Sequence, residues 1–131
     1  MKTDDLLNLD CEKEENKQTI NRFLWKIKPC AKLLEKNQYT KTEYAPIEIL
    51  EKVLHGFYKR YNFKIQSMFP YYEEGRFIFY NISILQKTDN TNEWKGNVYA
   101  KTVWEMYAKA LIKMYAEIKK ENRKEWKVKS Q

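Results

Sequence analysis

The sequence predicts an α+β domain in which helices cover a three-stranded antiparallel meander, in the order α-α-β-β-β-α. Apolar residues recur at spacings of three and four in two stretches before residue 62, the period shortens to two between residues 63 and 101, and the helical period returns after residue 102. At 131 residues the chain is one domain by size, long enough to bury a core without disulfide staples. With only 3 Gly and 3 Pro there is little room for linkers.

Residues 1–16 lack a sustained apolar period and read as an acidic flexible arm; residues 17–120 form the single domain, and residues 121–131 a basic tail. In the first helix Ile20, Phe23, Leu24, Ile27, Ala31 and Leu34 supply the apolar face. Pro29 removes a backbone donor and predicts a kink before the helix ends near Asn37. Pro46 takes the first position of the second helix, Glu48 sets a carboxylate beside its free amides, and Ile47, Leu50, Val53, Leu54, Phe57 and Tyr61 form the buried stripe.

In the first strand Phe63, Ile65, Ser67 and Phe69 share one face, Lys64, Gln66 and Met68 the other, and Pro70 ends it. A turn near Tyr71-Tyr72-Glu73-Glu74-Gly75 leads into the central strand, Arg76–Lys87, where Ile78, Tyr80, Ile82 and Ile84 make one continuous face. The polar tract from Thr88 to Glu93 then turns the chain into a third strand, Trp94–Lys101. Thr102 and Glu105 form a T-x-x-E capping box for the last helix. There Val103, Tyr107, Leu111, Met114 and Ile118 face the core, with Lys109, Lys113, Lys120 and Lys124 on the opposite side.

Charge is unevenly spread. Residues 1–16 carry two lysines against six acids, so the net +7 of the whole chain leaves +11 on residues 17–131. A body this basic favours polyanions such as nucleic acid. No segment approaches the ~18 to 20 apolar residues of a membrane span, and no leader pattern opens the chain. Cys11 and Cys30 lack metal-ligand spacing and read as reduced thiols in a cytoplasmic protein.

Catalytic chemistry finds no support. The single histidine, His55, lies within the second helix, and Gly56, Gly75 and Gly96 are too far apart for a phosphate-cradling loop. Glu93-Trp94-Lys95 has the acid-x-lysine spacing of metal-dependent nucleases, with Glu73, Glu74 or Asp89 as conceivable partners, but Glu125-Trp126-Lys127 repeats it by chance. No catalytic residue, metal or cofactor is expected.

Binding chemistry is better represented. Single-stranded nucleic acid is held by cations that track phosphates and by flat rings that stack on bases. Tyr58-Lys59-Arg60-Tyr61, Arg76-Phe77 and the run from Trp94-Lys95 through Tyr99 to Lys101 mix the two types. Lys59, Arg60, Lys64, Arg76, Lys95 and Lys101, with Trp94 and Tyr99, are therefore the candidate contacts on one shared surface along the sheet.

Three groups of residues carry a family resemblance: Lys41 with Tyr44, Ala45, Pro46 and Ile47 leading into a helix; the strands from Phe63 to Lys101, including Glu93 and Trp94; and Tyr107-Ala108-Lys109 in the long helix that follows. In this order, from Ile20 to about Ile118, the chain resembles phage single-strand annealing proteins of the ERF and Rad52-like kind. Where the ERF pattern continues with a second basic residue and a second tyrosine, this chain has Ala110 and Leu111, so only Lys109 matches the basic position.

The resemblance implies ATP-independent pairing of complementary single strands, DNA favoured, by a homo-oligomeric ring or filament in phage recombination. The competing expectation is a small phage-encoded inhibitor, of the anti-defence or anti-CRISPR type. It would bind a host nucleic-acid-processing protein and use the acidic arm to mimic phosphates.

Overall fold

The computed structural model describes residues 2–87 and 93–129, with side chains as far as Lys120. It is an α+β fold. Among the described residues, five helices, α1 (Thr3–Leu7), α2 (Glu14–Leu24), α3 (Lys28–Lys36), α4 (Ile47–Tyr61) and α5 (Val103–Lys129), accompany three strands, β1 (Phe63–Glu73), β2 (Arg76–Lys87) and β3 (Glu93–Ala100). The strands form one antiparallel sheet in the order β1-β2-β3.

Two expectations about the amino-terminal third change. The acidic segment is not a frayed arm over its whole length: α1 packs on α5, Leu6 is only 2% exposed, and the Lys109 ammonium donates to the Leu9 carbonyl at 2.6 Å. Buried Leu6, the partly buried Leu7, Leu9 and Cys11, and this charge-assisted bond fix a segment whose composition reads as solvated. The predicted first helix is broken, not kinked. It stops at Leu24 and restarts at Lys28, so that Pro29 falls in the first turn of α3, where no backbone donor is needed.

The stretch between α3 and α4 is clamped from two sides. The buried Asn21 amide donates to the Glu43 and Lys41 carbonyls at 2.7 and 3.4 Å and accepts from the Ala45 amide at 2.9 Å. Trp104 Nε1 donates to the Ala45 carbonyl at 2.7 Å. Pro46 precedes the first helical residue instead of occupying it, with an extended ψ of 149°.

Strand β1 runs past Pro70 to Glu73 because it is an edge strand, where a missing amide donor costs no ladder bond. It also carries a bulge. Ile65 pairs with Ile84 but Ser67 pairs with Ser83, leaving Gln66 unmatched. The expected alternation therefore switches at this point: Phe63 and Ile65 face the helices, while Ser67 and Phe69 lie on the opposite side, across from Ser83 and Asn81. Glu74 and Gly75, both left-handed with φ of 49° and 75°, close the β1–β2 hairpin in the two-residue form that matches strand twist.

Helices α4 and α5 line one face of the sheet, α1 and α2 pack on α5, and α3 packs on α4. Helix α5 is thus central. Side chains on all sides of it are buried between Trp104 and Leu111, and the core continues through Ile112, Met114 and Ile118. Its N-cap is half of the predicted box: Thr102 Oγ1 accepts from the Glu105 amide at 3.1 Å, but the Glu105 carboxylate accepts from the Lys101 amide at 2.8 Å and from Lys109 Nζ at 2.7 Å.

Candidate nucleic-acid interface

No described element covers the second face of the sheet, and its rows can be read from the register. Lys64, Leu85 and Lys95 form one row, Ser67, Ser83 and Asn97 the next, then Phe69, Asn81 and Tyr99, and finally Tyr71 beside Phe79. Strand alternation puts these side chains opposite the buried Ile82, Ile84, Val98 and Ala100.

The aromatic end is ordered by its own contacts. Tyr71 stacks on Phe79 with centroids 4.9 Å apart and an interplanar angle of 17°, and Phe79 meets Tyr99 edge-on at 5.1 Å. Tyr99 remains 59% exposed and Phe69 44% exposed. The Tyr71 hydroxyl donates to the Glu73 carboxylate at 3.0 Å, which raises the Tyr71 pKa and keeps the ring neutral. In the middle of the face, Ser83 Oγ donates to Asn97 Oδ1 at 2.5 Å and the buried Asn81 donates to the Val98 carbonyl at 3.3 Å.

The opposite end is cationic and concave. A hollow of about 370 Å³ is lined by Asn62, Lys64, Ile65, Gln66, Leu85 and Lys87. Asn62, left-handed after α4, donates to the Lys87 carbonyl at 2.8 Å and so ties the start of β1 to the end of β2. Lys95 is exposed on the same row as Lys64. Lys101, just past β3, spends one ammonium donor on the Ile78 carbonyl at 2.8 Å and keeps two for a ligand.

The structure brings together only part of the expected set. Lys64, Lys95 and Tyr99 share the open face, with Lys101 beyond the end of β3. Lys59 and Arg60 belong to the last turn of α4, in the helical layer, where cations complement the helix dipole; the Arg60 guanidinium lies 5.5 Å from the Tyr61 ring centre. Arg76 is at the hairpin tip opposite Glu73, nine residues along β1 from Lys64, or about 30 Å at ~3.3 Å per residue.

Trp94 and Lys109 are not on this face at all. Trp94 pairs with Gln86 on the helix-covered side, its ring edge-on to Phe63 at 5.7 Å. Lys109 is buried, its ammonium 2.7 Å from Glu105, with both side chains 5% exposed.

Other expectations are resolved by distance. Glu93 pairs with Lys87 and Glu73 with Arg76, which sets the two carboxylates at opposite ends of β2, about 35 Å apart along the strand, so they cannot share a metal. Glu74 lies at the same tip as Glu73, and Asp89 lies outside the described residues. Among the described residues no group of three or more His, Cys, Asp or Glu could hold a metal ion. His55 is exposed on α4, edge-on to Tyr58. Among the described residues no helix is long and apolar enough to cross a membrane.

Sequence reasoning missed Phe69, Tyr71 and Phe79 as ring contributors. The bulge at Gln66 reverses which face Phe69 joins, and no residue pattern announces it. Phe79 was legible in principle, since the sequence sets it with Asn81 and Ser83 on a second, half-apolar face of the central strand; Phe77, expected on that face, instead pairs with Tyr72 past a second register shift that leaves Ile78 unmatched, and packs on Tyr80.

The residues behind the family resemblance hold the fold together. Tyr44 packs edge-on against Trp104 at 5.6 Å, bonds Glu14 through its hydroxyl, and lies under the Lys17 ammonium at 4.2 Å; Ala45 and Ala108 are buried. Known protein families, curated proteins and solved structures were each compared with the chain, and nothing in any of the three matches it.

Proposed function

We propose that this protein binds single-stranded nucleic acid, DNA favoured, across the open face of its sheet. One observation carries the reading: the solvent-facing rings of Phe69 and Tyr99 lie one row of small polar residues away from Lys64 and Lys95, with Tyr71 in the row beyond. Cations at one end of a strand path and stacking surfaces at the other supply the two terms by which single strands are held. In line with the ERF and Rad52-like resemblance, the activity proposed is pairing of complementary strands without ATP by a homo-oligomer.

Binding of a fluorescent oligonucleotide across a salt series tests the reading. Contacts from Lys64, Lys95 and Lys101 predict a slope of log K against log salt of about −2, at roughly −0.7 per phosphate. Replacing Lys64 and Lys95 with alanine should flatten it. Absence of binding at low salt overturns the proposal; faster pairing of two complementary strands without nucleotide is the result expected for annealing.

A second reading has its own observation. Met68, Tyr72 and Phe77 are also exposed around the hairpin, more apolar surface than a nucleic-acid contact needs. Docking to a host protein, as an inhibitor would, uses such a surface. The acidic segment offers that reading less, because α1 is folded back onto α5. Co-purification with a host protein together with negligible oligonucleotide affinity would favour it.

A further inference from the structure

Away from the open face, a second concavity joins an aromatic ring to several cations. It lies between α1 and the second half of α5, encloses about 280 Å³, and has Trp94 in its wall. Lys2, Lys113, Lys119 and Lys120 surround it against two acids, Asp4 and Glu117, an excess of two positive charges. At the lower edge of the roughly 300–1,000 Å³ range of small-molecule sites, the space limits a ligand to about one nucleotide.

The wall is built by Gly96. A Cβ at that position would sit 2.5 Å from Trp94 Cη2 and 3.1 Å from Lys113 Cε, so only glycine lets both side chains lie against β3 here. Lys113 Nζ donates to the Asn97 carbonyl at 3.0 Å, which holds the ammonium in place with two donors unspent. The other wall is fixed because α1 is anchored through buried Leu6.

We propose that this cleft takes a phosphate-bearing nucleotide, with its base against the Trp94 indole and its phosphate among Lys2, Lys119 and Lys120. An indole contributes a stacking surface to any base, and the ammonium groups neutralise the phosphate. The site is separate from the open sheet face, which lies on the other side of β3, and does not depend on a strand binding there.

Titration of the intact protein with thymidine 5′-monophosphate, followed by intrinsic tryptophan fluorescence, tests the proposal. Saturable quenching is expected, most of it lost in Trp94→Phe. Lys119→Glu with Lys120→Glu, both at exposed positions, should weaken binding at least tenfold, whereas Tyr99→Ala should leave it unchanged. Three results would overturn the assignment: no quenching, quenching indifferent to the lysine reversals, or inorganic phosphate binding as tightly as the nucleotide.

Discussion

Tyrosine beside lysine ends in opposite environments at two places in this molecule. Around Tyr44 the ring is packed on Trp104, roofed by Lys17 and tied to Glu14, and the adjoining Ala45 is gripped by Asn21 and Trp104. Around Tyr99 the ring meets Phe79 at one edge and otherwise faces solvent, beside a strand that also presents Lys95. The residue types are the same and the difference is a covering layer: α2 and α5 half-bury the first tyrosine, and no described element covers the second. Aromatic and basic residues mixed in sequence thus mark a binding surface only where the fold leaves them uncovered.

The enclosed region should yield the largest effects, and on stability. Lys109→Met strands the Glu105 carboxylate in the interior and should lower unfolding free energy by about 3–5 kcal/mol. A urea midpoint is the measurement, and adding Glu105→Gln to the same chain should restore part of the loss. Oligonucleotide affinity of the folded variant should not change, since the ammonium is not on the open face.

Next comes Asn21→Leu. It leaves the Ala45 amide and the Glu43 carbonyl without their partner, at about 2 kcal/mol in total, given ~1–3 kcal/mol for a buried group left unsatisfied. A loss confined to a few tenths would mean that the clamp is held by Trp104 alone.

On the open side the expectation inverts. Tyr99→Ala should barely move the urea midpoint yet weaken single-strand binding by ~1–3 kcal/mol, roughly 5- to 150-fold. Equal losses in stability and affinity would erase the contrast between the two regions.

Alkaline pH offers a milder probe of the enclosed side. Burial pushes the Cys30 thiol from its ordinary 9.0 up to about 12. Between those values the unfolded chain releases a proton that the native state keeps, so stability is full below pH 9 and falls as pH rises, by about 1.4 kcal/mol at pH 10 from this thiol. Cys30→Ala should show a smaller drop in urea midpoint between pH 8 and pH 10. Smallest of all should be the effect of Lys59→Glu with Arg60→Glu on oligonucleotide affinity: these cations lie in the helical layer, and a large loss would place the strand path over α4 instead.

Much of the fold was legible in the residues. Periods of 3.6 and 2 located α4, the central strand β2 and α5, and T-x-x-E marked the start of α5 because a hydroxyl three residues before a carboxylate serves the free amides there. The candidate site was legible only in part. Lys64, Lys95 and Tyr99 could be picked by type, but Trp94 and Tyr99, five residues apart on one strand, project to opposite faces, and only strand parity against a known helix layer separates them.

By itself the sequence determined the α+β class, the meander and the basic character of the body, because propensity, turn chemistry and charge act over a few residues. Tertiary structure decided the rest. Whether Lys109 meets solvent depends on α1 and the Leu9 carbonyl a hundred residues away, and whether Phe69 faces out depends on one unmatched residue in β1. Such outcomes belong to layers meeting in space, and burial is a property of what packs on a residue, which its own neighbours in the chain do not encode.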